Sequence, residues 1–540
     1  MKQADYLLFR EANMKFFKLI VCGFVAGMVQ AETPNIVFIL ADDMGVGDVA
    51  ALNPEAKVKT PNLDELIASG MHFTDAHTSS AVCTPTRYGL MTGRYSWRSP
   101  LKERVLSGYD PCLIPKDRKT VASMLKEQGY NTAMVGKWHL GITWTKKDGS
   151  VFTAVKSNTK GVEEQIDFTA PIQLGPHQLG FDYFFGTAAS WDMAPYAFIE
   201  NDHLKYTELV PYEATPLAAD PPELAKAKKD GASRDELKKI ANKYPKAVWR
   251  PGVRDKGLKA SDALPEITKH ATRYIADYQS EKPFFLYVSF TAPHTPVVPN
   301  ERFLGKSRAG VYGDFVQEVD WAVGEVVKTL KASGKYENTL LIFSTDNGYS
   351  IKAFPDAEKK KYGHNPSYIY NGRKGRLTEG GHRVPFLVTW PGIVKAGTKS
   401  DVMVCLTDFF ATCAEITGTE IADNTAEDSV SFLPVLKGNT EPIRDTLVSR
   451  DFSGYLAIRK GNWKLCYSKS PNAYKLYNLG NDIGEQKNLL RSNPEMAQTL
   501  EAILTKIVRD GRSTRGAKQK NDGPEWWEQL CWLKDPTDRK

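Results

Sequence analysis

Cys83 opens the string Cys83-Thr84-Pro85-Thr86-Arg87, a thiol with a proline two residues on and an arginine four on. Alone, that is also the pattern of a buried cysteine before a proline-started helix. Two further pairs, Asp42-Asp43 and Asp346-Asn347, add three carboxylates and one amide oxygen. An all-oxygen donor set suits a hard cation, calcium or magnesium, whereas zinc prefers nitrogen and sulfur. Each pair alone is an ordinary turn sequence, because Asp and Asn are common in turns. Lys137 and Lys374 taken singly read as surface charges, and His294 as a loop histidine. What matters is whether the fold gathers them.

The surrounding elements predict that it does. Asn35 to Leu40 (NIVFIL) is a continuous apolar run, the mark of a strand buried in a central parallel sheet. Phe284 to Phe290 and Leu340 to Ser344 are two more such strands. Between them Phe315, Val316, Val319, Val323, Val326 and Leu330 recur at three- and four-residue steps, predicting a helix from about residue 313 to 333 with one buried face. Strand, helix, strand makes a βαβ unit, so the large domain is expected to be α/β with a mostly parallel sheet. Ligands in such sheets bind beyond the carboxyl ends of the strands. Asp42-Asp43, His294 and Asp346-Asn347 each fall just past a predicted strand end.

Earlier helices carry clear punctuation. Thr60 is the expected N-cap of a helix with Pro61 at its first position and Gly70 as its stop. Thr120 to Gln128 is another helix, closed by Gly129 and leading to a strand that ends near Val135. The Lys- and Ala-rich stretch 218–260 reads as a helical, surface-exposed insertion. After about residue 440 the pattern changes. Leu456 to Arg459 and Trp463 to Tyr467 flank a Lys460-Gly461-Asn462 turn, a hairpin signal, and Pro494 to Arg509 reads as an amphipathic helix. The expected organisation is a catalytic domain over 32–440 and a smaller α+β domain with an antiparallel sheet over 441–540.

Two longer strings lift the chemistry above these separate hints. Ala81-Val82-Cys83-Thr84-Pro85-Thr86-Arg87 continues into Leu90-Met91-Thr92-Gly93-Arg94, and Gly129 to His139 reads GYNTAMVGKWH. In that order and separation they resemble the two signatures of the formylglycine-dependent sulfatases, a branch of the alkaline phosphatase superfamily. The resemblance covers nearly the whole exported chain. It takes in Ala292-Pro293-His294, Ser344 to Gly348, Gly372 to Gly375, Glu379 to Pro385 and Leu476-Tyr477-Asn478-Leu479. Arg250-Pro251-Gly252 and Val316 to Asp320 look most similar to the arylsulfatase A and N-acetylgalactosamine-6-sulfatase branch.

The resemblance implies a large mixed, mostly parallel sheet of alkaline phosphatase-like type and a site built around one divalent cation, calcium before magnesium. Asp42, Asp43, Asp346, Asn347 and the modified Cys83 would hold it. Cys83 would be oxidised to formylglycine (3-oxoalanine) by a maturation enzyme, a required partner. Its hydrate would attack sulfur, form a covalent sulfate ester and then expel sulfate. Arg87 would fix the hydrate; Lys137 and Lys374 would bind sulfate; His139 would be the base. His294 would protonate the leaving oxygen with help from Lys374, and Ser190 aligns with a sulfate-contacting serine. Trp97, Arg98, Trp191, Asp192, His364 and His382, near these motifs, are candidates for holding the rest of the substrate.

Composition agrees with a large globular protein: 540 residues, 41% hydrophobic and 25% charged. From Met14 a basic start, an apolar run from Leu19 to Val29 and Gln30-Ala31 form the parts of a secretory signal peptide within residues 1–31, after an upstream extension. That run is shorter than the roughly 20 residues a spanning helix needs, so no integral membrane span is expected. The expected location is periplasmic or secreted. Removing 1–31 takes away four basic and two acidic residues, so the formal net charge of +7 falls by two. Such a mild excess, without a basic helix or stacked-aromatic motif, is no nucleic-acid footprint. Six cysteines remain, too few for a disulfide scaffold, and with Cys83 consumed at least one stays unpaired.

The expected substrate is a sulfated carbohydrate, with 6-O-sulfated galactose or N-acetylgalactosamine foremost. Two rivals carry different chemistry: a formylglycine-dependent phosphonate or phosphate ester hydrolase, and a non-catalytic glycan-binding relative. A two-zinc phosphatase would need Ser or Thr as nucleophile and several histidine ligands, whereas this position is a cysteine. Loss of a core residue would favour the binding protein, and every expected position is filled.

Overall fold

A computed structural model describes residues 33–153, 161–212 and 250–533, with a few positions between 226 and 237. The leader read over 1–31 and most of the 218–260 insertion lie outside the described residues. The described residues from Asn35 onward form one compact unit containing a ten-stranded sheet and a four-stranded sheet.

Five strands make the parallel heart of the large sheet, in the spatial order Thr339–Thr345, Asn35–Ala41, Phe284–Ser289, Asn131–Lys137, Tyr183–Thr187. Phe386–Thr389 joins antiparallel beside the first, and Met71–Phe73 and Thr398–Ser400 follow outward. Short antiparallel strands, Ile199–Glu200 and His203–Leu204, close the other edge. The sheet is therefore mixed and mostly parallel at its centre. Ile36 to Ala41, Phe284 to Val288 and Leu340 to Phe343 are almost wholly buried, as strands covered on both faces must be.

One group of covering helices consists of Pro61–Ser69, Ala263–Ala276 and Gly310–Ala332, packed on one another. The last matches the predicted βαβ crossover, its buried side carrying Phe315, Val316, Val319, Val323, Val326 and Leu330. The first follows Thr60 and stops at Gly70, as its punctuation predicts. A second group, Cys83–Thr92, Val121–Glu127 and Phe409–Thr417, packs together, and Phe409 seats its ring 4.8 Å from that of Phe38 on the central strand.

The small sheet runs Thr446–Arg450, Leu456–Lys460, Trp463–Cys466, Lys475–Asn478, antiparallel throughout. The helix Pro494–Asp510 packs on it through Leu500, Leu504, Ile507 and Val508. The two sheets are tied beside the cysteine: Ala81 donates its backbone N–H to Arg450 O at 2.8 Å, and Arg450 N–H to Ser79 O at 3.2 Å. A buried charge network forms a second tie. Lys464 of the small sheet donates to Glu379 at 2.8 Å and to Glu485 at 2.9 Å, and Arg459 forks onto Asp75. Among the described residues all six cysteines are free, so no disulfide contributes.

Candidate active site

Five adjacent parallel strands each end on a residue the sequence singled out. Asp42-Asp43 follow Ala41, Asp346-Asn347 follow Thr345, and Lys137 is the last residue of its strand with His139 two further on. His294 lies five residues past Ser289, and Ser190 three past Thr187. The side chains of Asp42, Asp43, Arg87, Lys137, His139, Asp346 and Asn347 are completely buried. Gly136 makes the crowding feasible. Its φ is +116°, and a Cβ there would sit 1.8 Å from Ser289 O, so only glycine fits before Lys137. Asp43 and His139 hold left-handed backbone, φ 65° and 56°, a strained conformation for such residues that functional sites often store.

Cys83 is the first residue of the helix Cys83–Thr92, and Val82 before it offers no side-chain cap. The helix thus directs its partial positive charge toward the strand ends. One turn in, Arg87 is the central strut. Its Nε and Nη2 reach Asp346 Oδ2 at 3.1 and 2.7 Å, and Nη1 donates to Lys137 O at 3.2 Å and to Ser289 Oγ. Burial works against the guanidinium charge, but Asp346, Tyr287 and Asp42 raise its pKa overall.

Lys137 Nζ donates to Asp42 Oδ2 at 2.7 Å. Lys374 Nζ lies 2.6 Å from Asp43 Oδ1 and 3.3 Å from Cys83 Sγ. Burial raises the pKa of Asp42, but Lys137, His294 and Arg87 together bring it below the usual carboxylate range. Burial pushes the Cys83 thiol up to about 12 against the pull of Lys137 and Lys374.

Among the described residues, three oxygens in this ring have no hydrogen-bond donor: Asp42 Oδ1, Asp43 Oδ2 and Asn347 Oδ1, all buried. Asn347 Nδ2 donates to Asp43 Oδ1 at 2.7 Å and to Gly348 O at 2.9 Å, which fixes the amide with its oxygen free. Buried oxygens without donors are costly. Carboxylate and amide oxygens converging at strand ends fit a hard cation. Ligand atoms of Asp42, Asp43, Cys83 and His294 also lie within 4.8 Å of one another, so the cysteine borders the same spot.

The two histidines are oriented by backbone carbonyls. His139 Nε2 donates to Leu106 O at 2.9 Å, leaving Nδ1 as a buried acceptor without a partner. Burial, then Lys137 and Arg87, drive its pKa far below the usual histidine value, so the ring is neutral. His294 Nδ1 donates to Thr295 O at 2.6 Å, and its Nε2 faces Asp43 Oδ2 at 3.5 Å. Cys83, His139, His294 and Lys374 line a cavity of about 530 Å³. Ser190 Oγ is buried without a partner.

Of the six candidates for holding the rest of the substrate, Asp192 lines the cavity and Trp191 lies next to it in sequence. The other four have structural partners. Trp97 packs against Trp527 in the small-sheet core, Arg98 pairs with Asp428 at 2.8 Å, His364 with Asp48 at 2.8 Å, and His382 sits 3.1 Å from His77. Proximity to a motif in sequence did not carry their side chains to the cavity. Sequence reading also missed Ser350, Lys352, Asp451 and Phe452 on the cavity wall. The last two come from the loop after the first strand of the small sheet, far from any motif.

A cation-suited oxygen ring and a cysteine at a helix start, set at the carboxyl edge of a mixed α/β sheet, are an arrangement suited to a hydrolase acting on an anionic ester. Comparison with known proteins makes the class specific. The family model "Sulfatase" matches residues 34–419, and a model described as "N-sulphoglucosamine sulphohydrolase, C-terminal" matches 373–512. An N-acetylgalactosamine-6-O-sulfatase of Bacteroides thetaiotaomicron is 34% identical over 506 residues, covering 88% of this chain and 93% of that protein. Human arylsulfatase A is 30% identical over 95% of each chain. A solved structure from work on glycosaminoglycan metabolism by Bacteroides thetaiotaomicron superposes with a TM-score of 0.74 at 32% identity, covering 88% of this chain and 99% of that one. The chain belongs to the sulfatase family and is a sulfatase.

Proposed function

We propose that this enzyme removes sulfate from a sulfated carbohydrate, with 6-O-sulfated N-acetylgalactosamine or galactose as the leading substrates, using formylglycine made from Cys83 and one calcium ion. The observation that carries the reading is the convergence on Cys83 of Lys374 and of ligand atoms from Asp42, Asp43 and His294. The name of the Bacteroides relative supports the sugar.

Asp42, Asp43, Asp346 and Asn347 would hold the cation with the modified Cys83. When bound, it would polarise the sulfuryl oxygens and orient the nucleophilic oxygen that formylglycine provides. Lys137 and Lys374 bring positive charge to an anion placed above Cys83, and the helix start beneath adds to it. Arg87 locks Asp346 and the carbonyl of Lys137, keeping the ring rigid. His139 is a base at Nδ1, because Nε2 is spent on Leu106 O. His294 delivers a proton to the leaving oxygen from Nε2, because its Nδ1 is spent on Thr295 O. Ser190 would contact the sulfate through its partnerless hydroxyl.

Residues 1–31 would export the protein to the periplasm or beyond, and a maturation enzyme would act on Cys83. Among the described residues no helix is long and apolar enough to cross a membrane. The test is peptide mass spectrometry of the Cys83 segment from a host able to modify it, with activity measured on sulfated monosaccharides in calcium. Formylglycine at position 83 together with sulfate release is the expected result. Full activity from protein carrying an unmodified cysteine would overturn the mechanism.

A further inference from the structure

On the cavity wall, beyond the groups assigned to sulfate and metal, Asp192 presents a feature that mechanism does not use. Its side chain is 5% exposed, yet among the described residues Oδ1 has no hydrogen-bond partner. The turn Ser190–Met193, closed by Met193 N–H to Ser190 O at 2.9 Å, sets it at the cavity. Its other oxygen, Oδ2, lies 3.5 Å from Arg250 Nη2, and Arg250 is 43% exposed and lines the same cavity. Arg250 is itself held in place. The Tyr196 hydroxyl donates to Arg250 O at 2.8 Å and accepts from Arg250 N–H at 2.9 Å. Tyr196 is in turn stacked on Trp191, centroids 6.4 Å apart and planes 17° from parallel.

The chemistry of the pair selects its ligand. An ionised carboxylate only accepts hydrogen bonds and a guanidinium only donates them. A sulfate or carboxylate has no proton for Asp192 and would meet its charge. An ammonium has no lone pair for Arg250. A hydroxyl both donates and accepts, so it satisfies both at once. A buried carboxylate oxygen left without a donor is costly, and a substrate hydroxyl would relieve that cost.

We infer that Asp192 and Arg250 form a hydroxyl-reading clamp that makes this sulfatase specific for a sugar carrying a free hydroxyl in addition to its sulfate. This rests on the sulfatase reading of the same cavity. Both are specificity-determining residues; neither touches the reacting atoms.

The test compares formylglycine-bearing wild type with Asp192→Asn and Arg250→Met on two probes. One is the fastest substrate among the 6-sulfates of galactose, N-acetylgalactosamine and N-acetylglucosamine. The other is 4-nitrophenyl sulfate, which has no hydroxyl. Each variant should lose about 10- to 100-fold in kcat/KM on the sugar, the scale of a hydrogen bond to a charged group. Each should stay within about threefold of wild type on the aryl sulfate, since no clamp contact is lost there. Equal losses on both probes would show a structural role and overturn the clamp, as would an unchanged rate on the sugar. Arg250→Met keeps the test decisive if Asp192→Asn folds poorly, because Arg250 is half exposed. Wild type inactive on both probes would instead sink the proposed 6-O-sulfate reading on which the clamp rests, and is recognised without any variant.

Discussion

Arg87→Met tests the claim that one buried guanidinium holds together the oxygen ring proposed to bind a cation. In the native protein Asp346 is fully buried, with Arg87 on Oδ2 through two N–H groups and Asp43 N–H on Oδ1 at 3.2 Å. Removing the guanidinium leaves that carboxylate with the Asp43 amide alone, and strips donors from Lys137 O and Ser289 Oγ. An uncompensated buried charge of this kind costs about 3–5 kcal/mol. Urea denaturation in excess chelator, followed by tryptophan fluorescence, should show the loss with no cation present to mask it. The companion variant Arg87→Met/Asp346→Asn removes the stranded charge as well. It should regain about 0.5–3 kcal/mol relative to the single variant, the scale of coupling between residues in direct contact. A single variant within about 1 kcal/mol of wild type would refute the reasoning, given what breaking a buried pair normally costs. So would a double variant less stable than the single.

Three further outcomes follow from the same geometry. His294→Gln should lower kcat on sugar sulfates by about 10²–10⁴-fold, and much less on 4-nitrophenyl sulfate, whose leaving group needs little protonation; equal losses would remove His294 from the acid role. Chelation should abolish activity and calcium restore it, with zinc ineffective because the donors are oxygens; full activity after exhaustive chelation would argue against any metal. Lys464→Met leaves buried Glu485 without a cation and buried Glu379 with Arg383 as its remaining close partner, and should destabilise the protein by about 3–5 kcal/mol. An unchanged thermal midpoint would show that the tie between the two sheets is energetically idle.

The loop carrying Lys374 explains why that tie concerns the site. Lys374 N–H donates to Tyr349 O at 3.0 Å and Gly375 N–H to Ala81 O at 2.7 Å, so the loop is stitched between the cysteine segment and the strand-end loops. Four residues after Gly375 the chain enters the short helix Glu379–His382, which Lys464 anchors. The small sheet therefore holds one side of the cavity, directly through Phe452 and indirectly through Lys374.

The sequence by itself determined most strands of the central sheet and singled out the candidate reactive groups at their ends. Strand cores such as NIVFIL are continuous apolar runs because both faces are covered, and their abrupt change to Asp-Asp or Asp-Asn marks the carboxyl edge where ligands bind. The helix start at Pro61 and stop at Gly70 were legible because the preferences of proline and glycine for helix ends are local, although Thr60 makes no side-chain cap. Tertiary structure alone decided which side chains near those motifs reach the cavity. Arg98 and Asp192 look alike in sequence, each polar and close to a motif, yet one is spent on Asp428 and the other keeps an oxygen free. It alone showed that Arg250, Asp451 and Phe452, contributed from distant parts of the chain, share one wall with Cys83. Local pattern records whether a residue is buried in its own strand or helix; a cavity wall is assembled across hundreds of residues of separation, where no periodicity links its parts.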